Sequence, residues 1–322
     1  MQIKRLVIEN FKSIERIELV EPNPFTVFVG PNGSGKSNIF EALEFWNLSA
    51  KTERGTVESL FGGQGSYTNR NHPDWAVQVK FEMSGASEHR LVQRPSLKGE
   101  QEYTVTGSTW GNRNAEEDRQ LLGGFSRIFV RNERLLKLVR NDDQSLSLSA
   151  SNLEKVLKRV LSNETLKNEI FEWLELFVPG FKAVEVDDRN ELHWFEKDSP
   201  NYFTKDLISD GTYNILALLT AVYQSDDKPQ FLCIEEPENG LHPQVAGELV
   251  DFFRIMCEER GHYIWLNTHS QTMASRVRPE EFVVVDKKNG ATQVQQFRKE
   301  DFYGMRADEA WLTNSLNGGL AW

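Results

Sequence analysis

The segment GPNGSGKS, Gly30 to Ser37, lies between an apolar stretch, Thr26-Val27-Phe28-Val29, and a run whose apolar residues Ile39, Phe40, Leu43 and Phe45 recur at helical spacing. A G-x-x-x-x-G-K-S string in a strand-to-helix turn is a phosphate-binding loop, and few sequence features fix so much of a fold. Its glycines reach backbone angles closed to other residues and let several N–H groups converge on an anion. The helix starting near Lys36 turns the positive end of its dipole to the same point. A polyphosphate is therefore expected along Asn32, Gly33, Ser34, Gly35 and Lys36. The Lys36 ammonium would meet the β- and γ-phosphates, and the Ser37 hydroxyl Mg²⁺.

Such a loop needs a second metal contact, from a carboxylate at the end of a neighbouring apolar strand. FLCIEEPENGLHP has that form: Phe231-Leu232-Cys233-Ile234 runs straight into Glu235 and Glu236, and Glu238 follows a proline. Carboxylates crowded at the mouth of a buried strand repel each other and lose hydration, so a cation must offset them. Glu235 is expected to hold Mg²⁺ or its water, and Glu236 to orient and deprotonate an attacking water. The alternative is an ordinary exposed acidic loop; the four apolar residues before Glu235 argue against it.

The chain has 322 residues, 39% hydrophobic and 26% charged, enough for one large globular domain or two smaller ones. Its net charge of −11 opposes a surface coated by nucleic acid, though not a local basic strip. Cys233 and Cys257 are the only cysteines, and the six histidines show no ligand-like spacing. Neither a disulfide framework nor a zinc site is expected, and a reducing cytoplasm is the default location. No apolar run approaches a membrane span, and the opening MQIKRLVIENFK alternates like a strand, so no membrane partner is expected.

Strands are expected at 2–9, 26–29, 75–83, 89–93, 102–106 and 126–130, with the Gly-, Ser-, Thr- and Asn-rich stretch 51–73 as a loop. Residues 131–140 and 153–177 read as helices whose apolar stripes are too short for a coiled coil, hence a small helical insertion ended by Pro179-Gly180. Short strands at 183–186 and 192–196 lead to an apolar helix after Gly211, the carboxylate strand, a helix at 244–259 and a final strand at 263–267. Alternating strands and helices imply a parallel sheet. The expected division is a first lobe (1–130), a helical insertion with connecting strands (131–200) and a second lobe (201–322).

In order and spacing, these segments resemble the ABC-type ATPases of the SMC, RecF and OLD group, in particular their compact "AAA family ATPase" relatives, often found beside bacterial genome-defence genes. Ile8-Glu9-Asn10-Phe11-Lys12-Ser13-Ile14 is similar to that group's opening, and GPNGSGKSN to its Walker A, including Asn38. Ile208-Ser209-Asp210-Gly211-Thr212 resembles its signature, Ile234 to Pro243 its joined Walker B and D-loop, and Thr268-His269-Ser270 its switch histidine. The resemblance implies an α/β P-loop NTPase fold, the ABC-ATPase head: a mixed sheet with an antiparallel β lobe and a helical insertion. It implies ATP as the nucleotide, with Lys12 and Asn38 near it, Glu235 and Ser37 on Mg²⁺, and Glu236 and His269 in catalysis. It also implies an ATP-dependent homodimer, in which Ser209, Asp210 and Gly211 of each protomer meet the γ-phosphate held by the other. Ser209 also reads as a plain N-cap of the following helix, and the two roles are compatible. His269 by itself reads better as a satisfied histidine at a strand end; its place after the Walker B segment reverses that.

Two features depart from the pattern. No Q-loop glutamine is evident; Arg131 and Asn132 stand where one would be sought. Leu60-Phe61-Gly62-Gly63-Gln64 imitates the transporter signature LSGGQ but lacks its serine and any apolar helix after it, so it reads as a loop.

Two uses of ATP fit. One is an ATP-switched, DNA-associated clamp or motor in antiviral defence or repair, working with a separate effector such as a nuclease. Arg131, Arg134, Lys137 and Arg140 recur every third residue and can form a basic strip against nucleic acid, although such a run also suits a plain solvated helix face. The other is a regulatory or scaffold ATPase that controls a partner protein without touching DNA, which the acidic total favours. A nuclease within the chain is not expected, because the stretch after His269 is too short for the Toprim domain of OLD-type enzymes. The FKSI and EPENGLHP segments point away from a transporter.

Overall fold

Apolar residues on one face make a hairpin of β1 (Ile3–Phe11) and β2 (Ile14–Val20), paired antiparallel from Arg5↔Val20 to Phe11↔Ile14. The computed structural model describes residues 2–84, 88–93, 103–108, 115–130, 142–302, 304–313 and 315. The expected helix 131–140, with Arg131, Asn132, Arg134, Lys137 and Arg140, lies outside them. After β2 the chain enters β3 (Phe25–Val29), α1 (Lys36–Lys51), α2 (Arg54–Leu60) and α3 (Gln64–Tyr67). β4 (Val77–Met83), β5 (Glu88–Gln93) and β6 (Tyr103–Ser108) then extend the hairpin into an antiparallel sheet ordered β2-β1-β4-β5-β6. Burial alternates residue by residue along β4, as a strand with one dry face requires.

Beyond α4 (Ala115–Gly123), the short β7 (Ser126–Ile128) leads to α5 (Leu153–Leu161), α6 (Glu164–Phe177) and the hairpin of β8 (Phe181–Val186) and β9 (Leu192–Glu196). The last part runs α7 (Asp210–Tyr223), β10 (Phe231–Glu235), α8 (Pro243–Arg260), β11 (Tyr263–Asn267), α9 (Gln271–Ala274), β12 (Phe282–Lys288), β13 (Ala291–Gln296) and α10 (Ala307–Leu312). The central sheet has the order β13-β12-β3-β11-β10-β7, parallel throughout except for β13. It draws strands from both expected lobes.

The middle of this sheet is dry on both sides, so β3, β10 and β11 are nearly continuous apolar runs rather than alternating ones. Every residue of β3, β10 and β11 is buried. Leu232, Ile234, Ile264 and Leu266 pack into the core under α5 to α8, whereas Phe231, Cys233, Tyr263 and Trp265 point into the core under α1 and the antiparallel sheet. α5 and α6 share their core with α7 and α8, forming one helical layer. Among the described residues, no helix is long and apolar enough to cross a membrane.

Three expectations at the level of elements are corrected. The strand at 263–267 is not the last, because β12 and β13 follow, β12 lying parallel beside β3. β1 runs on to Phe11, beyond the expected end at residue 9, and the turn Lys12-Ser13 opens directly into β2, which was not among the expected strands. The 51–73 stretch is not wholly a loop: α2 and α3 form because Phe61 and Tyr67 pack on Phe45, with ring centroids 5.1 and 4.8 Å away. The Gly62-Gly63 pair of the LSGGQ look-alike forms the turn between them.

Candidate functional site

The loop after β3 is braced from behind. Gly35 has φ +106, and a Cβ there would lie 2.1 Å from Thr292 Oγ1 and 2.8 Å from Ser13 Oγ, so only glycine fits. Asn38 Nδ2 donates to Ser13 Oγ (2.6 Å), that hydroxyl meets Thr292 Oγ1 (2.6 Å), and Thr292 Oγ1 donates to the Ser34 carbonyl (2.9 Å). The FKSI turn and β13 thus hold the loop in shape. Lys36, 6% exposed, lies back inside it, donating to the carbonyls of Gly30 (2.7 Å) and Pro31 (3.1 Å). Burial pulls its pKa down to about 8, against the opposing charges of Glu236, Glu235 and Glu238.

At the head of α1, Ser37 Oγ donates to Glu235 Oε2 at 2.6 Å. Asn267, at the end of β11, donates through Nδ2 to the same carboxylate oxygen (3.2 Å) and to Ser37 Oγ (3.5 Å). Glu235 is 2% exposed. The next residue turns out of the strand: Glu236 has φ +46, its N–H is shared between Asn267 O (3.0 Å) and Asn267 Oδ1 (3.1 Å), and its carboxylate accepts from Asn239 Nδ2 (3.1 Å). Glu238 Oε1 accepts from Thr268 Oγ1 (2.7 Å) and from the N–H of His269 (3.0 Å), pinning the loop after β11 to the loop after β10. Among the described residues its Oε2 is buried without a hydrogen-bond partner, and burial raises the carboxyl's pKa. The His269 imidazole is held below its ordinary pKa by burial and by the charge of Lys36, with Glu236 opposing.

These groups meet around one open cavity of about 210 Å³, with Asn32, Gly33, Gly35, Lys36, Ser37 and Asn38 along one wall and Glu236, Asn267 and His269 along the other. Two expected nucleotide-binding residues do not line it. Ser34 is buried in the loop's support, and the Lys12 ammonium rests on the Glu41 carboxylate of α1. Of the expected signature residues, Ser209, Asp210 and Gly211, none belongs to the lining among the described residues. Ser209 caps α7 by accepting the Thr212 N–H (3.0 Å). Gly211 lies against the D-loop, where a Cβ would come within 2.4 Å of Gly240 O. Asn214 Nδ2 fastens the same loop through the carbonyls of Pro237 (3.1 Å) and Asn239 (2.7 Å). A larger cavity, about 270 Å³, lies near Lys51, Gln120, Arg159 and Gln230, away from all of these groups.

Sequence reasoning missed two residues, one in the cavity wall and one beneath it. Asn267 was legible only as the end of a strand. Arg127 lies in β7, opposite Cys233 of β10, and its guanidinium donates to Glu235 Oε1 (2.5 Å) and Glu44 Oε2 (2.8 Å). A lone arginine in Phe125-Ser126-Arg127-Ile128-Phe129 was the available signal, since a cation in an apolar strand demands a carboxylate.

A P-loop facing an acidic strand end and His269, with a capped α7 nearby, on a largely parallel sheet flanked by an antiparallel lobe, marks an ABC-type ATPase of the SMC and RecF group. The chain belongs to the family described as "AAA domain, putative AbiEii toxin, Type IV TA system", whose profile matches residues 25–273. It is similar to the "Chromosome partition protein Smc" of Methanocaldococcus jannaschii, 30% identical over 128 residues that make up 37% of this chain and 10% of that protein. It is also similar to the "DNA replication and repair protein RecF" of Lactobacillus acidophilus, 31% identical over 70 residues, 21% of this chain and 18% of that one. The matched region thus spans no more than about a fifth of the length of these curated relatives. Among solved structures, the SMC head domain from Thermotoga maritima superposes with a TM-score of 0.55 at 17% identity, covering 92% of this chain and all of that one. An SMC head bound to the C-winged helix domain of ScpA gives 0.62 at 17% identity, covering 95% of this chain and all of that one. These structures establish the fold.

Proposed function

We propose that the chain binds ATP with Mg²⁺ along Asn32 to Asn38 and hydrolyses it slowly as an ATP-gated homodimer or as a subunit of a larger assembly, serving a DNA-associated defence or repair system through a separate effector. The observation that carries this reading is the 2.6 Å contact between Ser37 Oγ and Glu235 Oε2, contributed by residues 198 apart in sequence. A hydroxyl and a carboxylate are hard oxygen donors of the kind Mg²⁺ takes, so the pair fits the ion. Bound there, Mg²⁺ would supply charge neutralisation at the phosphates. Lys36 leaves the carbonyls of Gly30 and Pro31 for the β- and γ-phosphates. Glu236, projecting into the cavity, takes the proton of the attacking water. His269, on the same wall, donates to the γ-phosphate. Ser209, Asp210 and Gly211 stand outside the chain's own cavity at the positive end of α7, which favours their use on a partner's ATP.

The names of the Smc and RecF relatives support an association with DNA. The net charge of −11 supports the second reading, a regulatory ATPase that controls a partner protein without DNA. Lys36→Ala is expected to abolish nucleotide binding, and Glu236→Gln to retain ATP and accumulate as a dimer in light scattering. A Glu236→Gln chain that stays monomeric with bound ATP contradicts the shared site. DNA affinity that falls steeply with added salt supports the first use of ATP, and no binding even at low salt supports the second.

A further inference from the structure

We infer that Arg127 is a positioning residue for Glu235: it holds one oxygen of that carboxylate so that the other faces the cation site. The inference rests on the nucleotide-site reading above. Arg127 is 3% exposed, and both Nε and Nη2 are directed at Glu235 Oε1, leaving Oε2 to Ser37 Oγ and Asn267 Nδ2. The two oxygens are divided by role. On its other side, Arg127 Nη1 reaches Glu44 Oε2 at 2.8 Å and stands 3.6 Å from Glu41 Oε1, while the second oxygen of Glu41 carries the Lys12 ammonium.

Ser37, Glu41 and Glu44 lie at i, i+4 and i+7 of α1, hence on one helix face. The helix that presents the hydroxyl ligand therefore also anchors the arginine that aims the carboxylate ligand. One guanidinium fixes the separation of the pair. Neutralising Glu235 would not by itself require this arrangement, because a buried ion pair costs much desolvation and apolar packing often replaces it without loss. Three carboxylates from two elements around one guanidinium instead set a direction, as partners of metal ligands elsewhere do.

The test uses the full chain with Arg127→Met and Arg127→Lys. Mn²⁺ binding to the complex with a non-hydrolysable ATP analogue is followed by electron paramagnetic resonance, and a fluorescent ATP analogue reports nucleotide binding in EDTA. Arg127→Met is expected to raise the Mn²⁺ dissociation constant by roughly tenfold or more. Arg127→Lys, which keeps the charge but loses the fork, is expected to raise it by about threefold or more. Metal-free nucleotide affinity should stay within about twofold of wild type in both, because Arg127 touches no part of the loop. A folded variant with wild-type Mn²⁺ affinity overturns the inference while leaving the nucleotide site standing. Should Arg127→Met fail to fold, Arg127→Lys decides by the same measurement. A wild-type chain that binds no nucleotide, with or without metal, overturns the site reading and the positioning role together.

Discussion

Raising the pH from 7 to 9 should weaken metal-free ATP binding about tenfold through Lys36 alone. The ammonium is buried against the carbonyls of Gly30 and Pro31, and burial lowers its pKa to about 8. A polyphosphate in the loop favours the charged form and returns the group toward its ordinary range. With that pKa Lys36 is about nine-tenths protonated at pH 7 and about one-tenth at pH 9, so a site that must be charged to bind loses about 1.4 kcal/mol. The same linkage requires uptake of nearly one proton per nucleotide at pH 9 and little at pH 7. Calorimetry in two buffers of different ionisation enthalpy measures this directly. Lys36→Arg stays charged throughout and reports the nucleotide's own titration as a control. Equal affinity at both pH values without proton uptake would refute the argument. The sign for folding is opposite: the unfolded chain keeps a proton that the folded chain lacks between about pH 8 and 10.5, so the nucleotide-free fold gains stability as pH rises through that window.

Other outcomes follow from contacts around the site and beneath it. Arg254 grips Glu281 with two hydrogen bonds, 2.6 Å and 2.8 Å, and Glu281 is 2% exposed; Arg254→Met should cost about 3–5 kcal/mol, read by chemical denaturation, and an unmoved midpoint would contradict the pairing. Gly211→Ala places a Cβ 2.4 Å from Gly240 O and must push the start of α7 off the D-loop. ATP turnover should fall on the order of a hundredfold while metal-free nucleotide affinity is kept, and wild-type turnover would show that this packing is dispensable. Thr268→Val removes a 2.7 Å donor from the buried Glu238 carboxylate and should cost about 1–3 kcal/mol in thermal or chemical unfolding.

The phosphate loop and the acidic strand could be read directly because each is a local string whose chemistry is fixed by neighbours in sequence. β12 and β13 could not: Val283-Val284-Val285 carries no alternation to show that it joins the central sheet beside β3, and the pairing spans some 250 residues. α2 was hidden by the glycines and polar residues around it, while the aromatic contacts that fold it come from Phe45 and Phe61 on different elements. Arg127 was missed for a related reason. Its partners Glu44 and Glu235 lie 83 and 108 residues away, and only the parallel alignment of β7 with β10 brings them together. Ser13 was legible as part of a motif but not as a brace, since its partner Thr292 is 279 residues distant.

Three carboxylates can crowd one strand end because each is compensated by a different part of the fold. Glu235 continues the strand inward, where Arg127, Ser37 and Asn267 surround it. Glu236 escapes by taking a left-handed backbone angle that sends it outward to the cavity, a strained conformation for a non-glycine residue. The strain persists because Asn267 accepts the Glu236 N–H with two of its own oxygens while donating to Glu235. Glu238 is caught by the Thr268 hydroxyl and the His269 amide. Asn267, Thr268 and His269 are consecutive, so the end of β11 and the turn after it set the relative placement of Glu235, Glu236 and His269. A change at Asn267 would therefore disturb all three together, whereas Arg127 touches only Glu235 of the three.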